Sequence, residues 1–233
     1  MTTSAFAKYA KKNYPFRFRC SILVDQLAGG TPMSEKAIEG WLRTKFMDRD
    51  DQIRTMVGEV MAEVQADDAD ATPVDAIEAA AAKMGLCGFK RDDSGLYIEG
   101  RQVKSMLKEA AQIAIQGGRL NARGWGTTNK ALKGYLAEHI FVIEDRISLG
   151  VVEPTGIAQR FIHKMTPKGP VSAFQCEQYV SDAKLTFTIE SDHDFKEDEW
   201  AAIWLTAERN GLGASRSQGF GTFTVTGWEA VKP

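Results

Sequence analysis

The residues best placed to do chemistry lie near the C-terminal end, in the run Gly211-Leu212-Gly213-Ala214-Ser215-Arg216-Ser217-Gln218-Gly219-Phe220-Gly221. Glycine has no Cβ, so its backbone reaches positive φ and can turn N–H groups outward, while arginine presents a planar fork of donors. Four glycines around one arginine suit an anion with several oxygens, and phosphate above all. Gly211, Gly213, Ser215, Arg216, Ser217, Gly219 and Gly221 are the candidate contacts. Gly211 reads equally as the cap of the preceding helix. The loop closes a helix and opens a strand, which is the reverse of the dinucleotide-binding order and excludes a Rossmann site.

Two further basic groups accompany it. In the segment after Gly100, Val103, Met106, Leu107, Ala110, Ala111 and Ala114 share one helical face and leave Arg101, Lys104 and Lys108 on a neighbouring polar one. Such a row is either a solvated face or a phosphate site reinforced by the helix N-terminus. Arg160, Lys164 and Lys168 surround Lys164-Met165-Thr166-Pro167-Lys168-Gly169-Pro170, a rigid basic turn. Groups able to move a proton are few. Asp25 ends an alternating strand, and His163 lies in the basic turn region without a second acid or base beside it. The cysteines Cys20, Cys87 and Cys176 are far apart and form no Cys-x-x-Cys pair, so neither a metal site nor any other cofactor is expected.

These groups need a scaffold, and the hydrophobic pattern supplies one. Phe16 to Val24 alternates with period two and reads as a first strand carrying Phe16, Phe18, Cys20, Ile22 and Val24 on one face. Residues 34–84 read as helical and acidic. The Gly100 helix follows and Gly117-Gly118 stops it. Ile140 to Ile143 and Ile147 to Leu149 read as strands, as do Val151 to Ile162 and Val171 to Val180 around the basic turn. Lys184 to Ile189 is a further strand, joined to the last by Ser181-Asp182. Asp194 and Glu197 are placed to cap a helix whose inner stripe is Trp200, Ile203, Trp204 and Ala207, and Thr222 to Thr226 is the final strand. Strand, helix, two strands, helix, strand is an α+β plan: a ferredoxin-like (RRM-like) βαββαβ antiparallel sandwich, with a helical insertion at 34–84 and a β-hairpin extension at 139–170.

The glycine run followed by the strand to Trp228 resembles the C-terminal glycine-rich loop of the RAMP superfamily, the RNA-binding subunits of CRISPR effector complexes. Tyr97-Ile98-Glu99-Gly100-Arg101-Gln102-Val103-Lys104-Ser105-Met106-Leu107-Lys108 resembles the same family's helix-opening segment, with Glu99 in place of a proline, Ser105 of a glycine and Lys108 of an arginine. The resemblance implies a single domain over 1–233 that grips single-stranded guide RNA by its phosphate backbone. It implies repeated copies beside other effector subunits in an antiviral ribonucleoprotein. It also implies a protruding hairpin, here Arg160 to Pro170, with Met165 as its apolar wedge. Two alternatives stand beside it: a protein-interaction module of the same fold, such as a phage protein mimicking a CRISPR subunit, and an RNA endonuclease using Asp25 or His163.

The net charge of −2 does not oppose RNA, because acidic residues crowd 48–78 and basic ones crowd 101–133. The sequence shows no run of 18 apolar residues and no charged-then-apolar leader, so neither a membrane span nor secretion is expected, and the expectation is a cytoplasmic protein without a membrane partner.

Overall fold

The computed structural model describes residues 14–33, 38, 86–121, 129–166 and 169–231, the side chains of 129–133, 161–166 and 169–174 excepted. The acidic segment at 34–84, apart from Ile38, lies outside the described residues, as does Lys168. The strands are β1 (Phe16–Ala28), β2 (Thr31–Pro32), β3 (Leu86–Gly88), β4 (Lys90–Asp92), β5 (Gly95–Glu99), β6 (Ile140–Val142), β7 (Arg146–Ser148), β8 (Gly156–Thr166), β9 (Gly169–Ser191) and β10 (Phe223–Ala230). The helices with both ends among the described residues are α1 (Gly100–Gln116), α2 (Asn129–His139) and α3 (Glu197–Asn210), and the described residues form an α+β fold. Among the described residues no helix is long and apolar enough to cross a membrane.

The chain divides into two compact units, one made of 1–27, 98–149 and 182–233, the other of 28–97 and 150–181. In the first, β1 lies between β10 and the C-terminal part of β9, and β6 pairs with that same part of β9. The β1/β10 pair is antiparallel from Phe18↔Ala230 to Val24↔Phe223, with Thr226 bulged between Ser21↔Gly227 and Ile22↔Val225. Arg17 meets Glu190 and Ser21 meets Thr186 across β1 and β9, so these two also run antiparallel.

Alternation puts Cys20, Ile22 and Val24 of β1 and Leu185, Phe187 and Ile189 of β9 in the core. The inner stripe of α1 is buried as its spacing predicts, from Val103 to Ala114, and so are Trp200, Ile203, Trp204 and Ala207 of α3. The two helices pack on one another. Phe18 stacks on Trp228 at 4.6 Å, and Trp200 lies 4.9 Å from Trp228, which ties α3 to the β1/β10 pair through aromatic contact.

Helix α3 begins later than its sequence suggests. Asp194 is not the cap. Lys196 is, with extended backbone, and its N–H donates to the Glu199 carboxylate at 2.8 Å. Phe195, buried against Trp200 at 5.3 Å, fixes the entry as a hydrophobic staple does, while Glu197, Asp198 and Glu199 complement the positive helix end. Strand β9 is one strand where the sequence reads as two. Asp182, at φ +52°, lies within it without ending the strand.

In the second unit β8 and the N-terminal part of β9 form a long hairpin, from Gly156↔Tyr179 to Thr166↔Gly169. Beside it β3 runs parallel to β9 at Leu86↔Cys176, and β2 closes on β3. Leu86, Cys176, Met33 and Ile157 pack together there. Strands β4 and β5 form a short hairpin whose turn is held by Asp92, which accepts from the Ser94 N–H at 2.9 Å.

Burial pushes the Cys20 thiol up to about 12 and also raises Cys176. A thiol reagent at mildly alkaline pH is expected to leave Cys20 unmodified in the folded protein and to modify it once guanidinium unfolds the chain. Peptide mapping of the labelled protein checks this, and labelling of native Cys20 at the rate of a free thiol contradicts it.

Candidate nucleic-acid interface

The glycine loop is built from its base upward. Where α3 ends, the Gly211 N–H donates to the Ala207 carbonyl at 2.8 Å, and Gly211 turns to φ +78°. The far end returns to the same place: the Leu212 N–H donates to the Gly221 carbonyl at 2.8 Å. The Gly221 N–H donates at 2.7 Å to the carbonyl of Gln26 at the end of β1. No side chain fits in this seam. A Cβ on Gly221 would lie 2.0 Å from the Leu212 oxygen, and one on Gly211 would lie 2.8 Å from the Gly221 carbonyl carbon. Both glycines close the loop, and their amides are committed to its supports, Gly211 to α3 and Gly221 to β1.

The tip is different. Arg216 to Gln218 make one turn of 3₁₀ helix, flanked by Ser215 at φ +52° and Gly219 at φ +90°, with Gly213 at φ +86° ahead of them. A Cβ on Gly219 would meet nothing. Ser215 in the left-handed region is strained for a residue with a side chain, as is common where backbone geometry serves a ligand. Gly213, Ser215, Arg216 and Ser217 line an open groove of about 520 Å³ with Arg209 and Asn210 of α3 and Glu109 of α1. Arg216 Nη1 donates to Glu109 Oε2 at 2.8 Å, with the two side chains 33% and 45% exposed. A pair this open to water contributes at most about 1 kcal/mol, so a second anion is able to compete for the arginine.

Asp25 lies at the same end of the unit. It is exposed, its Oδ2 accepts from the Thr222 hydroxyl at 2.8 Å, and its N–H donates to the Thr222 carbonyl at 3.0 Å. These contacts extend the β1/β10 ladder to the loop.

The row on α1 has a mixed standing. Gly100 is required by close approach: its Cβ would lie 2.1 Å from the Glu144 oxygen, and its N–H donates to the Asp145 carbonyl at 3.0 Å. That amide is therefore engaged within the chain. Arg101 Nε donates to Glu99 at 2.6 Å. Lys104 Nζ sits 4.3 Å over the Phe141 ring, and burial pushes its ammonium below the ordinary lysine range. Lys108 is exposed, one residue before Glu109.

The other basic candidates belong to the second unit. Arg160 is exposed on β8 opposite Gln175, while His163 and Lys164 stand opposite Ser172 and Val171 near the hairpin's end. Three groove residues escaped sequence reading. Arg209 and Asn210 sit in the last turn of α3, where they read as ordinary helix-end residues. Glu109 reaches Arg216 across a separation of 107 residues, which no local pattern reports.

No protein-family model and no curated protein matches the sequence. Among solved structures, a chain of the assembly described as the cryo-EM structure of the Type III-B Cmr-beta bound to cognate target RNA is similar. The similarity has 11% identity and a TM-score of 0.40, covering 98% of this chain and 65% of that one. Likeness at that level leaves the functional reading to the site itself.

The seam and the tip are separable by mutation. Gly221→Ala is expected to lower stability by roughly 2–3 kcal/mol, and Gly219→Ala by only about 1 kcal/mol, because both meet the left-handed backbone and only the first meets a wall of atoms. Denaturant unfolding of the two variants checks the order.

Proposed function

We propose that the chain is a RAMP-type RNA-binding subunit that holds single-stranded RNA by its phosphates in the groove between α1 and the glycine loop. The observation that carries the reading is the juxtaposition of Arg216 and Arg209 with the positive-φ residues Gly213 and Ser215 of the loop tip, all lining one open groove. Lys108, exposed on α1 close in sequence to Glu109, supplies a further cation for a strand leaving the groove.

The proposed fold is the ferredoxin-like sandwich. Its support is the strand order β10-β1-β9-β6 in the first unit, with α1 between β1 and β6 in the chain and α3 between β9 and β10. The β8/β9 hairpin supports the further reading that Arg160, Lys164 and Lys168 belong to an arm reaching along the RNA. The proposed assembly is a CRISPR-type ribonucleoprotein in which copies of the chain and other subunits follow one guide. Binding without cleavage is the reading adopted, since Asp25 is engaged with Thr222 in extending the sheet.

Arg216→Ala is expected to weaken binding of a labelled single-stranded RNA roughly tenfold and to reduce the slope of log affinity against log salt by about one. Lys108→Ala is expected to act in the same direction and less. Fluorescence anisotropy over a salt series, with circular dichroism to verify folding, measures both. Affinity and slope unchanged in Arg216→Ala would place RNA elsewhere or nowhere on this protein.

A further inference from the structure

The groove that offers two arginines also holds a carboxylate, and that carboxylate is bound to one of them. We infer that Glu109 is a specificity-determining residue of the groove, a resident anion that occupies Arg216 and has to be exchanged for a phosphate before a ligand is seated.

The inference rests on the phosphate-binding reading of the groove and deepens it. Glu109 projects from the middle of α1, whose buried face from Val103 to Ala114 anchors it in the core, so the carboxylate is carried by a rigid element. Arg216 comes from a loop whose base is fixed at the Gly221 to Gln26 hydrogen bond. Their meeting at 2.8 Å is thus set by the two elements, while the partial exposure of both side chains leaves them free to part.

The consequence is selectivity by valence. A lone anion that takes Arg216 exchanges one carboxylate for one anion and is left beside the negative charge of Glu109, with little net gain. A chain of phosphodiesters meets Arg216, Arg209 and the loop tip together, and its additional contacts outweigh the lost pair. Glu109 therefore keeps the groove closed to small anions and open to polyanions, at the expense of some affinity for the latter.

The test uses the full chain with a fluorescently labelled oligouridylate as probe, comparing wild type, Glu109→Gln, Arg216→Ala and the double variant. Glutamine keeps the size and hydrogen-bonding reach of the side chain and removes the charge. Glu109→Gln is expected to bind roughly three- to tenfold more tightly than wild type, and that gain is expected to shrink or vanish in the Arg216→Ala background. Unchanged or weaker binding by Glu109→Gln, with Arg216→Ala still impaired, overturns the role of Glu109 and leaves the RNA reading intact. An equal gain with and without Arg216 overturns it as well, because the carboxylate would then act only as a general repulsive charge. No binding by any of the four proteins overturns the RNA reading and this inference together.

Discussion

The candidate site depends on a backbone seam in which the Gly221 N–H reaches the end of β1 and the Gly221 carbonyl receives the Leu212 N–H. Two short hydrogen bonds make the loop between α3 and β10 return to its own origin, so that everything between Gly213 and Gly219 is held out as a tip. The constraint is steric as much as polar. Gly211 and Gly221 lie back to back with no space for a Cβ, and both have positive φ. The loop's composition therefore has two causes: two glycines close it, and the others shape the surface it offers.

The sheet and helices convert this local constraint into a groove. The β1 strand is buried through Cys20, Ile22 and Val24, so the Gln26 carbonyl to which the loop is tied is a fixed point. On α3, Trp200 and Trp204 lock the helix to Trp228 of β10, at 4.9 and 5.6 Å, so both arms of the loop leave from elements that share one aromatic cluster. The buried alanines of α1 allow it to lie close to α3, and its outer face then brings Glu109 to Arg216. Glu109 is thus placed by the apolar contacts on the opposite side of its own helix, and Arg216 by the hydrogen-bonded base of its loop.

Much of this was legible in the sequence because it is periodic. The inner stripes of α1 and α3 and the alternation of β1 depend only on local spacing, and the structure buries the same residues except Phe16 and Phe18 of β1, which are half-buried. What was not legible depended on contacts distant along the chain. Helix α2 has a glycine within it and a weak apolar stripe, and it packs on α1 and buries Leu136. The start of α3 follows from the staple between Phe195 and Trp200 more than from an Asp194 cap. Within the site, the glycines were visible as one group, but only the geometry separates Gly211 and Gly221 from Gly213 and Gly219. Lys104 and Arg101 looked like open cations in the sequence, and in the structure one lies over Phe141 and the other against Glu99.

The most direct measurement of the central claim is photochemical cross-linking of the protein to a single-stranded RNA carrying thiouridine, followed by mass spectrometry of the joined peptides. The account requires cross-links in the peptide that spans Arg209 to Phe220, accompanied by α1 around Lys108. Cross-links that avoid both segments while RNA is demonstrably bound would contradict it.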